Sequence, residues 1–376
     1  MNAEAGIYVH LPYCRSRCGY CSFVVSTEDS SRSAYLAALD REMSLLAPET
    51  RGGTFDSVYL GGGTPSLVPP EDLVRLMDGL RVRFAVAASA EVTLEANPED
   101  VTPDRVREWI TAGVTRESVG VESLNDSELS AVGRQHDAHC ARRALETLTG
   151  TELSVSGDLI LGLPGQTAES FRSSVEGLCG AGVEHVSVYL LETEKSKSIE
   201  EDRRRHPERY LSDDAQADLW LEMGEALARR GFFHYEISNW ARPGQQSRHN
   251  LKYWRRTPTL GLGVSAHEFW GGHRRANVSG LSQYIAVLEA ACRPVAMDRA
   301  IDQEEEARER VVLGLRLLEG VPREEIEGWI GRSRDRTLPE DYASWREEGL
   351  LEEDLGRLHF SERGFLVSNE ILCRFV

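Results

Sequence analysis

Six short β-rich runs recur about every thirty residues through the first half of the chain, and an amphipathic stretch follows each. The runs are "GIYVHLPY" (6–13), "SVYLGGG" (57–63), "EVTLEANP" (91–98), "RESVGVES" (116–123), "LSVSGDLILGLP" (153–164) and "HVSVYLLETE" (185–194). After the first, Tyr35, Leu36, Leu39, Met43 and Leu46 fall on one helical face. After the second, Pro70 opens a helix whose apolar stripe is Leu73, Leu76, Met77 and Leu80. Thr102 caps a third helix that ends at Gly113. Strand then helix, repeated in this way, selects parallel strands joined by right-handed crossovers. Six units fall short of a closed eight-fold barrel. The expected α/β fold is therefore a partial six-unit barrel or an open sheet, with its chemistry at the carboxyl ends of the strands.

The regular core is expected over 1–200. The stretch 194–209, "EKSKSIEEDRRRHPER", reads as a charged, exposed connector. A middle segment, 201–298, is aromatic-rich and less regular, and is expected to complete the core. From 299 to 376 the pattern turns helical and ends in a short strand, a turn and a helix, which suggests a winged-helix-like domain. That last region carries 12 Arg and no Lys against 19 Asp and Glu. A wing that reads DNA would be basic, so this one reads as a structural or protein-docking module.

The formal net charge of −18 makes nucleic acid an unfavourable partner. No run of 18 apolar residues is present, so no transmembrane segment is expected. The start, "MNAEAGIYVHLPY", lacks the basic region and cleavage site of a secretory peptide. Seven cysteines, four of them scattered singly, argue against a disulfide framework and for a reducing cytoplasm.

The other three cysteines crowd into "YCRSRCGYC", as Cys14, Cys18 and Cys21 at the end of the first run. Buried, reduced thiols fit poorly with a loop that also holds Arg15, Ser16 and Arg17. Zinc favours C-x2-C pairs and a fourth ligand, for which His10 lies inside an apolar strand. An iron–sulfur cluster suits closely spaced thiolates, and three ligands for four irons leave one iron open to a second molecule. The "YLGGGTPS" loop (59–66) could be a tight turn or a place where backbone meets ligand. It is not a P-loop, since no Gly-Lys-Ser/Thr follows. "GLGVSA" (261–266) matches a dinucleotide pattern only loosely and is discounted. Glu95, Glu122, Arg134 and Asp158 stand at or just past strand ends. Such groups suit ribose hydroxyls and a ligand carboxylate, or equally a helix cap or a surface ion pair.

C-x3-C-x2-C after the first strand of a β/α barrel is the signature of the radical S-adenosylmethionine (SAM) superfamily. Within it the chain resembles the HemN/HemW branch along nearly its whole length. The resemblance rests on "YVHLPYCRSRCGYC", "YLGGGTPS", "EANPE", "SVGVESL", "GRQHDA", "GDLILGLPGQT", "YEISNWARPG", "SRHNLKYW" and "SERGFLVSN". It implies a 4Fe–4S cluster on Cys14, Cys18 and Cys21. It also implies SAM contacts at Tyr8, Tyr20, Gly62, Gly63, Thr64, Glu95, Glu122, Arg134 and Asp158. The branch contains oxygen-independent coproporphyrinogen oxidases and heme chaperones. Phe23 stands where the oxidases have a further cysteine, and only five residues precede the first strand. His249, Asn250, Tyr253 and Trp254 match the chaperones' H-N-x-x-Y-W motif. The resemblance therefore implies a heme chaperone with a heme site around His249. Its partners would be heme, heme-accepting respiratory proteins and an electron donor for the cluster, in the cytoplasm or peripherally at the membrane. The alternative is a radical enzyme acting on a tetrapyrrole by oxidative decarboxylation. The family usually has Gln at the position of Glu122 and often Asp at that of Ser22. From the residues alone, His249 among aromatics reads first as a core histidine.

Overall fold

The computed structural model describes residues 4–376; the first three residues, which the sequence reading placed in the opening domain, lie outside the described residues. Six parallel strands follow one another in chain order: β1 (Ala5–Leu11), β2 (Thr54–Gly62), β3 (Ala85–Ala96), β4 (Arg116–Glu122), β5 (Ser154–Leu161) and β6 (His185–Leu190). The crossovers are α1 (Arg32–Leu46), α2 (Pro70–Arg83), α3 (Pro103–Ala112), the pair α4 (Asp126–Ala131) and α5 (Ala138–Thr149), and α6 (Ala168–Gly180). Thr102 caps α3 by accepting the Arg105 N–H at 3.2 Å, and Gly113 ends it with φ 93°. The stripes expected on α1 and α2 face inward, with Tyr35, Leu39, Met43, Leu73, Met77 and Leu80 buried.

The middle of the chain extends this sheet instead of forming a separate layer. After α7 (Lys197–Arg205) and α8 (Asp213–Arg229) come β7 (Phe233–Glu236) and β8 (Asn239–Ala241), then α9 (Arg248–Trp254). Next are β9 (Thr259–Leu262), β10 (His267–Trp270), β11 (His273–Asn277), α10 (Leu281–Glu289) and β12 (Val295–Ala300). The twelve strands run β12-β11-β10-β9-β1-β2-β3-β4-β5-β6-β8-β7. β9 is parallel to β1, and the outer strands on both flanks are antiparallel. "GLGVSA" is the end of β9 and the turn after it; no helix follows. The last region holds α11 (Gln303–Gly314), α12 (Arg323–Ile330), α13 (Leu338–Glu347) and a small sheet of β13 (Val321–Pro322), β15 (Arg357–Phe360) and β14 (Leu351–Asp354). Two short helices, α14 (Glu362–Leu366) and α15 (Ser368–Cys373), finish the chain.

Strand alternation separates core from lumen. On β1, Ile7, Val9 and Leu11 are buried towards the helices, while Tyr8 and His10 take the other face. The same parity sends Tyr59, Glu95, Ser118, Asp158 and Tyr189 into the lumen. These side chains are half-buried or exposed, which marks the lumen as accessible to water.

The stretch read as an exposed connector is a strap. Ile199 of α7 is buried with Val132, Ile160 and Leu163, and Tyr20 and Tyr210 pack on that cluster. The Ser196 hydroxyl and the Ser198 hydroxyl (2.9 Å) both donate to the carbonyl of Gly19, in the cysteine loop. Periodicity could not reveal this, because a single isoleucine among paired charges such as Arg209–Asp202 and Arg203–Asp213 carries the packing.

Candidate functional site

The loop after β1 is held by backbone bonds from Cys14 N–H to Ser26 O (2.9 Å), Gly19 N–H to Val132 O (2.9 Å) and Cys21 N–H to Cys18 O (3.1 Å). It therefore faces the loops after β2 and β4. Thr64 donates its hydroxyl to Cys14 Sγ at 3.4 Å, and Arg134 points a guanidinium N–H at Cys18 Sγ at 3.7 Å. Burial raises the Cys14 and Cys21 thiols, and each is raised further by the charge of neighbouring cysteines. Three thiols on one loop, with the Arg134 guanidinium beside Cys18, have the donor chemistry of an anionic iron–sulfur cluster.

Arg134 organises the mouth. It donates to Asn97 Oδ1 at 2.9 Å and Gly120 O at 2.5 Å, and lies 3.7 Å from Glu122 Oε1. Tyr20 donates its hydroxyl to the same Glu122 oxygen at 3.0 Å. Glu122 has φ 61°, an uncommon conformation for a side-chain-bearing residue. Such strain persists only where surrounding bonds hold it, and Arg134 and Tyr20 supply those bonds. Burial raises the Glu122 carboxyl, opposed chiefly by Arg134.

Deeper in the lumen, Glu95 accepts from Tyr59 OH at 2.9 Å and Gly62 N–H at 3.0 Å. Burial still pushes its pKa up to about 7, with Asp158 and Glu122 adding repulsion. Asp158 accepts from Ser118 at 2.7 Å and Ser156 at 3.0 Å, and burial raises it too. Tyr8 stacks on Tyr59 with ring centroids 6.2 Å apart and hydrogen-bonds His10 Nδ1 at 3.1 Å. Carboxylate acceptors below and a guanidinium at the rim are what a ligand with hydroxyls and its own carboxylate needs.

The glycine turn has a cause inside the protein. Gly62 has φ 110°, and a Cβ there would stand 2.5 Å from His10 Nδ1. A Cβ on Gly63 would lie 2.6 Å from the carbonyl carbon of Pro12. Close packing on β1 already demands both glycines, so they do not by themselves report a ligand.

The expected residues divide into two groups. The cysteines, Tyr20, the Gly62–Thr64 turn, Glu122 and Arg134 meet at the mouth, with Tyr8, Glu95 and Asp158 just inside. His249 lies at the other end of the lumen. Its neighbours Gly6 and Ser57 pair in register, five rungs before Leu11 and Gly62, or about 16 Å along the strands. The ring is fully buried. Nδ1 is 3.0 Å from Ser57 Oγ, Nε2 is 2.9 Å from Tyr253 OH, and burial lowers its pKa to about 3. Tyr253 is 37% exposed and close enough to Glu95 to feel its charge, so it faces the lumen from below. Asn250 donates its N–H to the Ser247 cap of α9, and Arg316 of the last region lies over the Trp254 ring at 5.5 Å. In this structure the motif seats α9 against the lumen floor and the last region, with both imidazole nitrogens engaged.

Sequence reasoning missed Asn97 as a partner of Arg134, and the serines around Asp158. Spacing by two along β4, β5 and β6 (Ser118, Gly120, Glu122; Ser154, Ser156, Asp158; His185, Ser187, Tyr189) was the available signal.

The chain matches the Radical SAM superfamily over residues 8–178 and the HemN C-terminal domain over residues 301–367. A heme chaperone HemW from Mycobacterium tuberculosis is 35% identical over 372 residues, covering 98% of this chain and 93% of that protein. This chain belongs to the HemW family. HemW proteins from Bacillus subtilis and Escherichia coli, each 31% identical, cover 98% of the chain and 98% and 97% of their own lengths. The coproporphyrinogen III oxidase HemN from Escherichia coli, a radical SAM enzyme, superposes with a TM-score of 0.84 over 100% of this chain and 90% of its own. At 24% identity it shows that the HemW-family chain has the HemN fold. Among the described residues no helix is long and apolar enough to cross a membrane.

Proposed function

We propose that this HemW-family chain binds heme, holds a 4Fe–4S cluster on Cys14, Cys18 and Cys21 with SAM at the open iron, and passes heme to membrane-associated acceptors. The observation that carries the cofactor reading is the convergence of Thr64, Arg134, Asn97, Glu122 and Tyr20 around three cysteine thiols at the carboxyl ends of the strands. When bound, the cluster and SAM supply one-electron chemistry. The chain's part is to orient: Arg134 fixes the rim charge, Glu95 and Asp158 present acceptors, and the α7 strap closes over Tyr20. Heme as cargo is supported by kinship with proteins named heme chaperones over nearly their whole length.

The role of His249 is separable. Ligation of heme iron by this ring requires one nitrogen to give up its partner, Ser57 at Nδ1 or Tyr253 at Nε2, and the buried ring to become accessible. A ligand elsewhere requires neither.

Anaerobic reconstitution with iron and sulfide, followed by heme titration and assay for 5′-deoxyadenosine, tests the proposal on one sample. Wild type should take up about four irons and bind heme, and Cys14→Ala, Cys18→Ala or Cys21→Ala should abolish the iron. His249→Ala should reshape the heme spectrum if the ring ligates. An unchanged spectrum with lowered stability assigns His249 to the floor. Absence of heme binding, or SAM-dependent release of carbon dioxide from coproporphyrinogen, would overturn the chaperone reading.

A further inference from the structure

Asp158 sits at the head of a hydrogen-bonded chain that leaves the lumen. Ser156 donates to Asp158 Oδ1 at 3.0 Å. A serine has one proton to give, so at its 2.7 Å contact with His185 Nδ1 the same oxygen must accept. Nδ1 therefore carries the ring proton. Burial and the nearby Arg116 cation keep His185 neutral, which leaves Nε2 bare to accept the Tyr235 hydroxyl at 2.8 Å. The Tyr235 oxygen in turn accepts the Ser247 N–H at 3.3 Å, and Ser247 caps α9. Ser156, His185 and Tyr235 are 1%, 2% and 9% exposed, so water does not compete for these bonds. Each donor and acceptor sense is set by the one before it.

A carboxylate has about four acceptor positions. Hydroxyls of Ser118 and Ser156 fill two on Asp158, one on each oxygen. A free position is left for a group in the lumen.

We propose that His185 and Tyr235 are positioning residues for Asp158: they hold the Ser156 proton on the carboxylate and so keep its free acceptor position turned towards a ligand hydroxyl, the ribose of SAM. The proposal rests on the reading that SAM occupies the lumen mouth. Neither residue belongs to the cysteine or glycine loops: His185 opens β6, and Tyr235, the first residue of "YEISNWARPG", lies on β7.

The test is equilibrium dialysis of SAM against reconstituted holoprotein without reductant, so that binding is read without turnover. Asp158→Asn and His185→Leu should each weaken SAM about ten-fold, as loss of one hydrogen bond to a charged group does. His185→Asn keeps a nitrogen donor near Nδ1 and should stay within about three-fold of wild type. Tyr235→Phe, which frees the tautomer without opening a cavity, should weaken SAM about three-fold. Because all act through one carboxylate, Asp158→Asn combined with His185→Leu should bind no more weakly than Asp158→Asn alone. Cluster absorbance should be unchanged throughout. Wild-type affinity in His185→Leu and Tyr235→Phe beside a weakened Asp158→Asn would overturn the proposal alone, as would additivity in the double variant. Normal SAM binding by Asp158→Asn would overturn the placement of SAM, and the proposal with it.

Discussion

Removing Arg134 should cost this protein more than a ligand contact. Its side chain and that of Glu122 are 8% and 11% exposed, and the guanidinium also serves Asn97, the Gly120 carbonyl and Cys18. Taking one partner from a buried pair costs about 3–5 kcal/mol, because the other charge is left without compensation. In Arg134→Ala, Glu122 keeps only the Tyr20 hydroxyl. It escapes by taking up a proton, which at pH 7 costs about 3–4 kcal/mol for a carboxyl whose free pKa is near 4.3. Glu122→Gln carries no charge to neutralise. The double variant Arg134→Ala/Glu122→Gln should therefore be more stable than Arg134→Ala by about 2 kcal/mol. The assay is urea denaturation of all four proteins at pH 7 before cluster loading, read as a double-mutant cycle. Iron uptake by the same four proteins shows whether the mouth still assembles. A cost below about 1 kcal/mol for Arg134→Ala, or single effects that add within about 0.5 kcal/mol, would refute the reasoning.

Other expectations concern groups around the same scaffold. Glu117 is fully buried, neither carboxyl oxygen has a hydrogen-bond partner among the described residues, and burial alone raises its pKa well above normal. Glu117→Leu should stabilise the protein by about 2–3 kcal/mol at pH 7, and the gain should shrink as pH falls towards 4.5, since only the unfolded wild type sheds its proton there; denaturation at several pH values checks this. Glu42 accepts from Gly263 N–H, Asn277 and Tyr284, yet burial pushes it up to about 7. Its folded pKa is raised, so against Glu42→Gln the wild type should lose about 3 kcal/mol of stability as pH rises from about 4.5 to 7, and little more above that; a pH series of melting curves of both proteins shows the slope. Gly63→Val would drive a side chain into the Pro12 backbone, so it should lower stability by several kcal/mol together with iron loading; normal stability with SAM binding selectively lost would instead make the turn a ligand contact.

The parallel β/α core, the helix faces of α1 and α2, the Thr102 cap and the cysteine loop at a strand end were legible without the structure. Each depends on residues near in sequence: a period of two or 3.6, a capping hydroxyl, or three thiols within eight positions. Kinship with the HemN/HemW branch was legible for the same reason, since its motifs are short and contiguous. Tertiary structure alone decided which distant groups meet. Asn97 and Arg134 join across two strands, the 194–209 stretch folds back as a strap on Gly19, and Gly62 and Gly63 pack closely on His10 and Pro12. His249 shows the division most clearly. The resemblance implied a heme site there and the residues alone a core histidine, and a histidine's chemistry depends on what its two nitrogens face. Here Ser57 and Tyr253, brought together by the seating of α9 on the lumen floor, engage both.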